Sequence, residues 1–448
     1  MIISDISNIE TTGTVALYLK KNGLNQWHAE TATNKRYNNI FVIPAIQEYN
    51  NIQRLLISLS ENNQKYFSET LVIFVINNTG NSKEDAKNDN KQSLKLLRSI
   101  IDKNDNEEIC AKVNAAGLNI GLVDASTDNL ELPEKDGGVG LARKIGLDLA
   151  LLLFDYSNLN KKILGCLDAD CLVDKNYVTT IVESFNKEKI SAAYIQFEHT
   201  MPDHQKERMA IICYEIFLRY YVLGLNYAGS PFAFPAIGST IICDCESYIK
   251  VGGMNKKKAA EDFYFLEKLA KIVNIKKIDS TKVYPSGRDS WRVPFGTGQR
   301  VNRFISGERN EYFVYSLKSF EILKQWNKAF LNGERLNSDV YLKKAEIIDP
   351  VLYNFLILNS FKENWDKILK SSKTKEQLEK QKITWFDGFR TLKLIHYLRD
   401  NGYPLNNMFE SVSELLFYFD VQLPQIDENQ SPSFEIQIEY LQQLRKLS

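Results

Sequence analysis

The chain has 448 residues, 44% of them hydrophobic and 25% charged, which is the composition of a globular protein with room for two or three domains. Its 56 Lys and Arg residues balance its 56 Asp and Glu residues, so no global positive charge predicts binding of nucleic acid or of an anionic membrane. The six cysteines are scattered without the spacing of a zinc site, which favours buried free thiols in a reducing compartment.

Residues 1–37 are predicted to be an N-terminal leader with one short strand at residues 14–19. The first residues lack the basic and apolar regions of a signal peptide, so we expect a cytoplasmic protein. Residues 220–243 are free of charge and long enough to tempt a membrane assignment, but their glycines and prolines favour a buried helix end, a loop and a strand. Peripheral association with a membrane surface stays open.

Between residues 38 and 310 strands and helices alternate. This pattern predicts an α/β domain with a mostly parallel sheet and helices on both faces. The polar residues 81–93 are predicted to form a solvated loop. The predicted strands are residues 39–44, 71–76, 119–123, 163–167 and 192–197, and the predicted helices are residues 50–59, 94–101, 140–154 and 177–185.

After residue 310 strand-like runs nearly vanish, and Lys, Glu, Leu and aromatic residues recur at helical spacing. Residues 311–448 are therefore predicted to be an all-helical module. The clearest helical segments are residues 315–330, 351–369 and 386–399.

Two aspartates one residue apart, Asp168 and Asp170, follow the apolar run at residues 163–167. Ligands of open α/β sheets bind at the carboxyl ends of the strands. Two hard oxygen donors at such an edge suit Mg²⁺ or Mn²⁺, which in turn would hold a diphosphate. The alternative is that one aspartate simply caps the next helix.

Four segments, taken in chain order, resemble the family-2 glycosyltransferases, which share the GT-A fold. The resemblance covers residues 38–305, and the order and spacing of the segments make it specific. The segments are residues 41–48 (similar to the family's first strand and Pro-Ala-Tyr-Asn-Glu turn), 75–80 (its second strand and Asp-Asp-Gly-Ser turn), 140–143 leading into 164–170 (its helix and Asp-x-Asp strand), and 248–254 followed by Glu261 and Asp262 (its Gly-Gly-Phe turn and Glu-Asp motif).

The resemblance implies a metal-dependent enzyme that moves a sugar from a nucleotide-diphosphate donor to an acceptor hydroxyl, with Mn²⁺ or Mg²⁺ as cofactor. It implies Asp170 as the principal metal ligand, with Asp168 on the ribose or on the metal through water. It also places the general base at Asp262, beside Glu261, and a single displacement with such a base inverts the anomeric centre. The donor-binding residues it implies are Pro44, Ala45, Glu48, Asn77, Asn78, Arg143 and Asp168.

Each of these roles has a structural alternative. Adjacent carboxylates repel, so at least one of Glu261 and Asp262 is expected to have a raised pKa, but both residues also suit the first turn of a helix. Residues 137–140 are a glycine-rich turn that offers free N–H groups to an anion, although they match neither a Walker A motif nor a complete dinucleotide fingerprint. Arg143 would add a charged fork to a phosphate, or is a solvated arginine.

Two arginine-containing segments, residues 285–292 and 298–307, come next. The second resembles the Gln/Arg-x-x-Arg-Trp acceptor motif of polysaccharide-making members, with Phe304 in the place of Trp. Aromatic faces and planar donors suit sugars, while packing and surface charge are the alternative. The expected acceptor-binding residues are Arg288, Trp291, Arg292, Gln299, Arg300 and Arg303.

Three departures from the family pattern bear on the donor and the metal. Asn77 and Asn78 replace two acidic residues, so the carboxylate that would read the base is missing. A late histidine is also missing, since no His lies between His204 and His396, so Asp289 or Ser286 is expected as a metal ligand in its place, or water fills the position. Met254 stands where the family has Phe.

Two rival classes remain. The first is another metal-dependent enzyme, either a retaining GT-A transferase or a sugar nucleotidyltransferase. The latter is disfavoured because residues 44–54 lack a glycine- and basic-rich signature, with Arg54 as their one basic residue. The second is a non-catalytic GT-A binding protein. The retained carboxylates Asp168, Asp170, Glu261 and Asp262 disfavour this class, and the Asn77-Asn78 pair favours it.

Overall fold

The computed structural model divides into two compact units. The first, here the sheet unit, comprises Met1–Thr200, Ala236–Ser286 and Val293–Phe295, and the second, here the helical unit, comprises Met201–Pro235, Gly287–Arg292 and Gly296–Ser448. The structure describes residues 2–3, 13–23, 26–288, 296–423 and 432–448.

The sheet unit is built on ten strands with helices packed against them. The strands are β1 (Ile2–Ile3), β2 (Ala29–Thr31), β3 (Asn39–Ala45), β4 (Thr70–Asn77), β5 (Asn119–Ala125), β6 (Ile163–Cys166), β7 (Leu172–Val173), β8 (Ala192–Phe197), β9 (Ile241–Asp244) and β10 (Ile275–Tyr284). The helices up to residue 270 are α1 (Gly13–Asn22), α2 (Tyr49–Ser60), α3 (Glu84–Ile101), α4 (Glu108–Ala116), α5 (Val139–Ala150), α6 (Tyr177–Lys187), α7 (Gln205–Tyr227), which belongs to the helical unit, α8 (Cys245–Lys250) and α9 (Glu261–Ala270).

One sheet contains all ten strands in the order β1-β2-β5-β4-β3-β6-β9-β8-β10-β7. Strands β5, β4, β3, β6, β8 and β10 run in one direction, and β9 runs against its neighbours β6 and β8. Every residue of β3 and β4 is buried, because helices cover both faces of the sheet and each strand is a continuous apolar run. The predicted fold class is therefore confirmed, and the carboxyl ends of β3, β4 and β6 lie along one edge.

The two faces of β3 show how the helices are distributed. Phe41 and Ile43 belong to a core shared with apolar residues of α2, α3, α4 and α6. Val42, which points to the opposite face, contacts Gly146 of α5 so closely that a side chain at this glycine would overlap it. Helix α5 is buried from Gly140 to Ala150, so its charged side chains need partners inside the protein.

Two predictions of local structure are wrong. The predicted strand at residues 14–19 is part of helix α1, because Val15, Tyr18 and Leu19 are buried on one helical face. The predicted loop at residues 81–93 lies mostly in α3, whose acidic first turn suits a helix N-terminus. The polar residue Asn90 is on the buried face of α3 and interrupts the apolar period that would have revealed the helix.

The helical unit is built around α7 and an aromatic core. Trp326 and Phe330 stack at 5.0 Å between ring centroids, and Phe330 also meets Tyr341 and Trp365 edge to face. Its further elements are β11 (Phe313–Val314), β12 (Asn406–Asn407), α10 (Thr297–Ser306), α11 (Leu317–Phe330), α12 (Ser338–Ile348), α13 (Pro350–Leu358), α14 (Phe361–Ser371), α15 (Lys375–Trp385), α16 (Gly388–Asp400), α17 (Met408–Phe417) and α18 (Phe434–Leu447).

This division differs from the boundary that the sequence placed at residue 310, since α7 and α10 also belong to the helical unit. Helix α7 contributes Ile212, Ile216 and Tyr220 to the core of that unit, and apolar spacing alone does not say which core a helix joins. Within the described residues α7 is the one helix long and apolar enough to span a membrane, judged by length and composition, and most of its apolar stretch is buried in the protein.

Candidate active site

The Asp-x-Asp turn lies at the carboxyl end of β6, as the sequence predicts. The backbone N–H of Leu167 still donates to the carbonyl of Val42 in β3, at 3.1 Å, and Asp168 follows directly. The chain then turns, with the N–H of Cys171 donating to the carbonyl of Asp168 at 3.1 Å. Asp168 has 34% of its side chain exposed and Asp170 is half-buried, so both carboxylates lie where the sheet edge meets solvent.

Arg143 of α5 links this turn to the start of α9. Its Nη2 donates to Asp168 Oδ1 and its Nη1 donates to Glu261 Oε1, while only 3% of the side chain is exposed. The guanidinium is therefore occupied by two carboxylates rather than presented to solvent. Burial disfavours its charge, but Asp168 and Glu261 outweigh burial and hold the pKa of Arg143 above its ordinary value.

Glu261 and Asp262 open α9, as predicted. The backbone of Glu261 is held by Asn255, whose Nδ2 donates to the Glu261 carbonyl at 3.0 Å, and the preceding Ala260 has a left-handed φ of 59°. Burial raises the pKa of Glu261 to about 7, against the opposing charge of Arg143. Burial likewise raises the pKa of Asp262, whose Oδ1 accepts from the Phe263 N–H at 2.7 Å.

The Asn77-Asn78 turn at the end of β4 is tied to its surroundings by side-chain amides. Asn77 Nδ2 donates to the carbonyls of Ala45, at 3.0 Å, and Val75, at 3.2 Å, which a carboxylate in this position could not do. Asn78 Nδ2 donates to the carbonyl of Thr79 at 3.2 Å. The turn thus joins the ends of β3 and β4, and Pro44 and Ala45 are buried within β3.

Asn90 of α3 is a residue of this site that the sequence did not reveal. Its Nδ2 donates to the Asn77 carbonyl at 3.0 Å and to Asn78 Oδ1 at 2.9 Å, and its Oδ1 accepts from the N–H of Gln47 at 3.0 Å. Gln47 has a left-handed φ of 54° and precedes Glu48, which accepts a hydrogen bond from Asn51. One buried amide therefore fixes both turns that the resemblance assigns to the donor.

The glycine-rich turn before α5 is required for close packing. A side chain at Gly140 would overlap the carbonyl of Lys257, and one at Gly138 would lie 3.0 Å from the Cα of Lys258. These glycines thus let the start of α5 lie against residues 255–258. This contact gives a physical reason for the glycines that differs from the predicted anion site.

A second buried network begins at Lys144, the residue that follows Arg143 in α5. Lys144 Nζ donates to Asp148 Oδ2 at 2.6 Å, and the hydroxyls of Tyr18 and Tyr248 donate to Asp148 Oδ1 at 2.9 and 2.7 Å. The Tyr18 hydroxyl occupies the space that a side chain at Gly253 would need. The network ties α1 to the Gly-Gly turn, and no sequence pattern indicated it.

The carboxylates fit a hard divalent cation that keeps other ligands as well. Asp168 and Asp170 supply partly exposed carboxylates at a strand end, but the described residues contain no group of three or more His, Cys, Asp and Glu residues able to hold a metal. Phosphate oxygens and water would have to complete the coordination of Mg²⁺ or Mn²⁺, as is usual for Mg²⁺. The predicted third ligand, Asp289, lies outside the described residues.

Of the residues predicted to bind the acceptor, the four that the structure describes, Arg288, Gln299, Arg300 and Arg303, belong to the helical unit. Arg300 and Arg303 of α10 both donate to the carboxylate of Glu311, Arg303 through Nε at 3.0 Å and Nη2 at 2.6 Å. Arg300 also lies over the ring of Phe217, at 4.4 Å. Arg288 and Gln299 are half-buried, while Trp291 and Arg292 lie outside the described residues.

No protein-family model matches the chain, and no curated protein sequence matches it. Similar solved structures include S. aureus TarS 1–349 in complex with UDP-GlcNAc, at 13% identity and a TM-score of 0.38, covering 87% of this chain and 94% of that chain. The mannosyltransferase PcManGT from Pyrobaculum calidifontis in complex with GDP-Man and Mn²⁺ is similar at 14% identity and a TM-score of 0.35, covering 86% of this chain and 92% of that chain. Values this low assign no role to any residue of this chain.

Proposed function

We propose that this chain is a GT-A-type glycosyltransferase that moves a sugar from a nucleoside-diphosphate donor to an acceptor hydroxyl. The observation that carries the proposal is the meeting of Asp168, Glu261 and Asp262 around Arg143, with Asp170 two residues from Asp168. Two of these carboxylates, Asp168 and Glu261, bind one guanidinium, and Asp262 and Asp170 add further carboxylates at the edge where the parallel strands end, so the cluster carries more acidic than basic groups.

The acidic groups at this edge would serve donor binding by holding a divalent cation. A divalent cation held by Asp170 and Asp168 would neutralise the charge that develops on the departing diphosphate. The sugar nucleotide would lie over Pro44, Ala45 and Glu48, and along the Asn77-Asn78 turn. The nucleobase would then meet amides and carbonyls in this turn rather than a carboxylate.

Asp262 is the group we assign as general base. It is half-buried, and burial raises its pKa, so its affinity for the proton of an attacking hydroxyl is greater than that of a solvated aspartate. A single displacement with this base would invert the anomeric centre. Glu261 is paired with Arg143, which leaves Asp262 as the carboxylate of the pair without that ion pair.

Acceptor binding by Arg288, Trp291, Arg292, Gln299, Arg300 and Arg303 stays part of the proposal, as does the use of Mn²⁺ or Mg²⁺. Arg300 and Arg303 share Glu311, so two guanidinium groups meet one carboxylate and keep a net positive charge. This charge suits an acceptor that carries phosphate or carboxylate groups.

The first experiment is calorimetric binding of UDP, GDP, dTDP and CDP, each with and without Mn²⁺, to the wild-type protein and to Asp170→Asn. Binding of one nucleotide that requires Mn²⁺ and is lost in the variant supports the proposal. Asp279→Asn is the matched control, because Asp279 is exposed on β10 of the same unit and should leave binding unchanged.

Turnover of the matching sugar nucleotide separates the rivals. Release of the nucleoside diphosphate identifies a transferase, release of pyrophosphate from a nucleoside triphosphate identifies a nucleotidyltransferase, and binding without turnover identifies a binding protein. The anomeric configuration of the first product, read by NMR, distinguishes inversion from retention. Absence of nucleotide binding in all eight conditions would contradict the proposal.

A further inference from the structure

We infer that Arg143 is a positioning residue that fixes the distance between Asp168 and Glu261, and that Gly238 sets the place of its guanidinium. The expected change in kcat rests on the proposed function. The contacts of Arg143 with Asp168, Glu261 and Gly238 hold whether or not that function is correct. The two Nη atoms bind one carboxylate each, so the planar guanidinium bridges the Asp-x-Asp turn and the first residue of α9.

The bridge holds together groups that otherwise repel. Asp168, Glu261 and Asp262 are three neighbouring carboxylates, and the charge of Asp168 adds to burial in raising the pKa of both Glu261 and Asp262. Glu261 has 4% of its side chain exposed, so water does little to screen the repulsion. Without Arg143 the Asp-x-Asp turn and the start of α9 would move apart. The proposed metal ligands in the turn and the proposed base, Asp262, would then lose their alignment.

Gly238 is the steric partner of this bridge. A side chain at Gly238 would overlap Nη1, Nη2 and Cζ of Arg143, so the guanidinium lies directly against the backbone. Gly238 opens the 3-10 helix Gly238–Thr240, which leads into β9, and β9 pairs with β6. The position of the guanidinium is therefore set by the sheet itself and not by solvent.

The burial of Arg143 distinguishes this role from direct binding of the donor. Its Nε is buried and has no hydrogen-bond partner among the described residues, and its two Nη atoms are each bound to a carboxylate. A phosphate could bind this guanidinium only by displacing Asp168 or Glu261. Arg143 therefore acts through these two carboxylates, in place of the phosphate contact that the sequence suggested.

The kinetic test compares Arg143→Met, Arg143→Lys and Gly238→Ala with the wild-type protein. We expect kcat to fall about 100-fold in Arg143→Met and in Gly238→Ala, with partial recovery in Arg143→Lys. In the presence of Mn²⁺, the affinity for the nucleotide that the wild-type protein binds should stay within about threefold of wild type, since the guanidinium makes no donor contact. The double variant Arg143→Met/Gly238→Ala should have a kcat no lower than that of Arg143→Met alone, because Gly238 acts only through Arg143.

Two control variants separate positioning from a loss of stability. Arg219→Met removes another buried arginine, paired with Glu215 in the helical unit, and should lower stability while keeping kcat. Gly13→Ala adds a side chain where nothing lies within 4 Å and should change neither. A nucleotide affinity that falls tenfold or more in Arg143→Met in the presence of Mn²⁺ would overturn the inference in favour of a direct donor contact.

A second measurement does not depend on activity. Urea unfolding of Arg143→Met, Glu261→Gln and the double variant forms a double-mutant cycle, and we expect a coupling of about tenfold or more in the unfolding equilibrium constant. If the effects of Arg143→Met and Glu261→Gln on the free energy of unfolding are additive, the proposed bridge is wrong. If the wild-type protein bound no nucleotide, the proposed function would fail while this cycle still decided the arrangement of the two residues.

Discussion

Asn90 Nδ2 donates to Asn78 Oδ1 at 2.9 Å, and this hydrogen bond joins the buried face of α3 to the end of β4. The same amide group binds the Asn77 carbonyl and the N–H of Gln47, so three backbone or side-chain groups of two turns depend on one side chain. Asn77, Asn78 and Asn90 are all buried, so the Asn77 carbonyl and Asn78 Oδ1 have little access to water as a replacement partner.

Replacing Asn90 should therefore affect both stability and nucleotide binding. In Asn90→Ala we expect the free energy of unfolding to fall by about 2–4 kcal/mol, since buried polar groups lose their partners. Nucleotide affinity should fall about tenfold or more as the two turns separate. Asn88→Ala is the control, because Asn88 is exposed on the same helix, and an equal loss in both variants would count against this account.

The base assigned to Asp262 predicts a specific kinetic change. Asp262→Asn keeps the size of the side chain but cannot accept a proton, so kcat should fall by about 100-fold or more while nucleotide affinity in the presence of Mn²⁺ stays close to wild type. Steady-state kinetics and calorimetry measure the two effects. Persistent transfer in this variant would exclude Asp262 as the base.

The buried pair Lys144 and Asp148 should contribute far more to stability than a surface pair of equal spacing. Burial raises the pKa of Asp148 against the opposing charge of Lys144, and Asp148→Asn would leave that lysine buried without its counter-charge. We expect a loss of about 3–5 kcal/mol on urea unfolding. Glu183→Gln breaks the i,i+4 pair with the exposed Lys187, together with a second surface pair to Lys65, and should still cost less than about 1 kcal/mol. Similar losses in the two variants would contradict this difference.

Lys382 predicts a pH dependence of the helical unit. Its Nζ donates to the Glu334 carbonyl at 2.7 Å and to the Tyr341 hydroxyl at 2.9 Å, and it lies 5.6 Å from the centre of the Phe330 ring. Burial lowers its pKa to about 8, while an unfolded lysine has a pKa of about 10.4. Between these values the unfolded chain binds more protons, so the contribution of Lys382 to stability rises with pH.

Urea unfolding followed by tryptophan fluorescence tests this sign. The difference in unfolding free energy between the wild-type protein and Lys382→Met should shift by about 2 kcal/mol in favour of wild type from pH 7 to pH 9.5. Lys380→Met is the control, because Lys380 is exposed on the same helix and should give a flat difference. A flat difference for Lys382 as well would show that its pKa is not lowered.

Local patterns were sufficient to predict the central strands of the sheet and the placement of the acidic motifs. The apolar runs of β3, β4 and β6 identify strands buried on both faces, and polar residues at their ends mark the edge where Asp168 and Asp170 lie. Helix α9 likewise begins with Glu261 and Asp262, as their preference for a helix N-terminus indicates. These features depend on residues close together in the chain.

Contacts between distant segments decided the rest, because sequence order does not record which side chains meet in space. Arg143 reaches Glu261 across 118 residues and Tyr18 reaches Asp148 across 130, so neither pair has a local signature. For the same reason α1 is a helix where its residues alone favoured a strand. By itself the sequence determined the sheet and the carboxylates at its edge. Only the tertiary structure decided that two of those carboxylates, Asp168 and Glu261, pair with the same arginine, because that contact joins segments far apart in the chain.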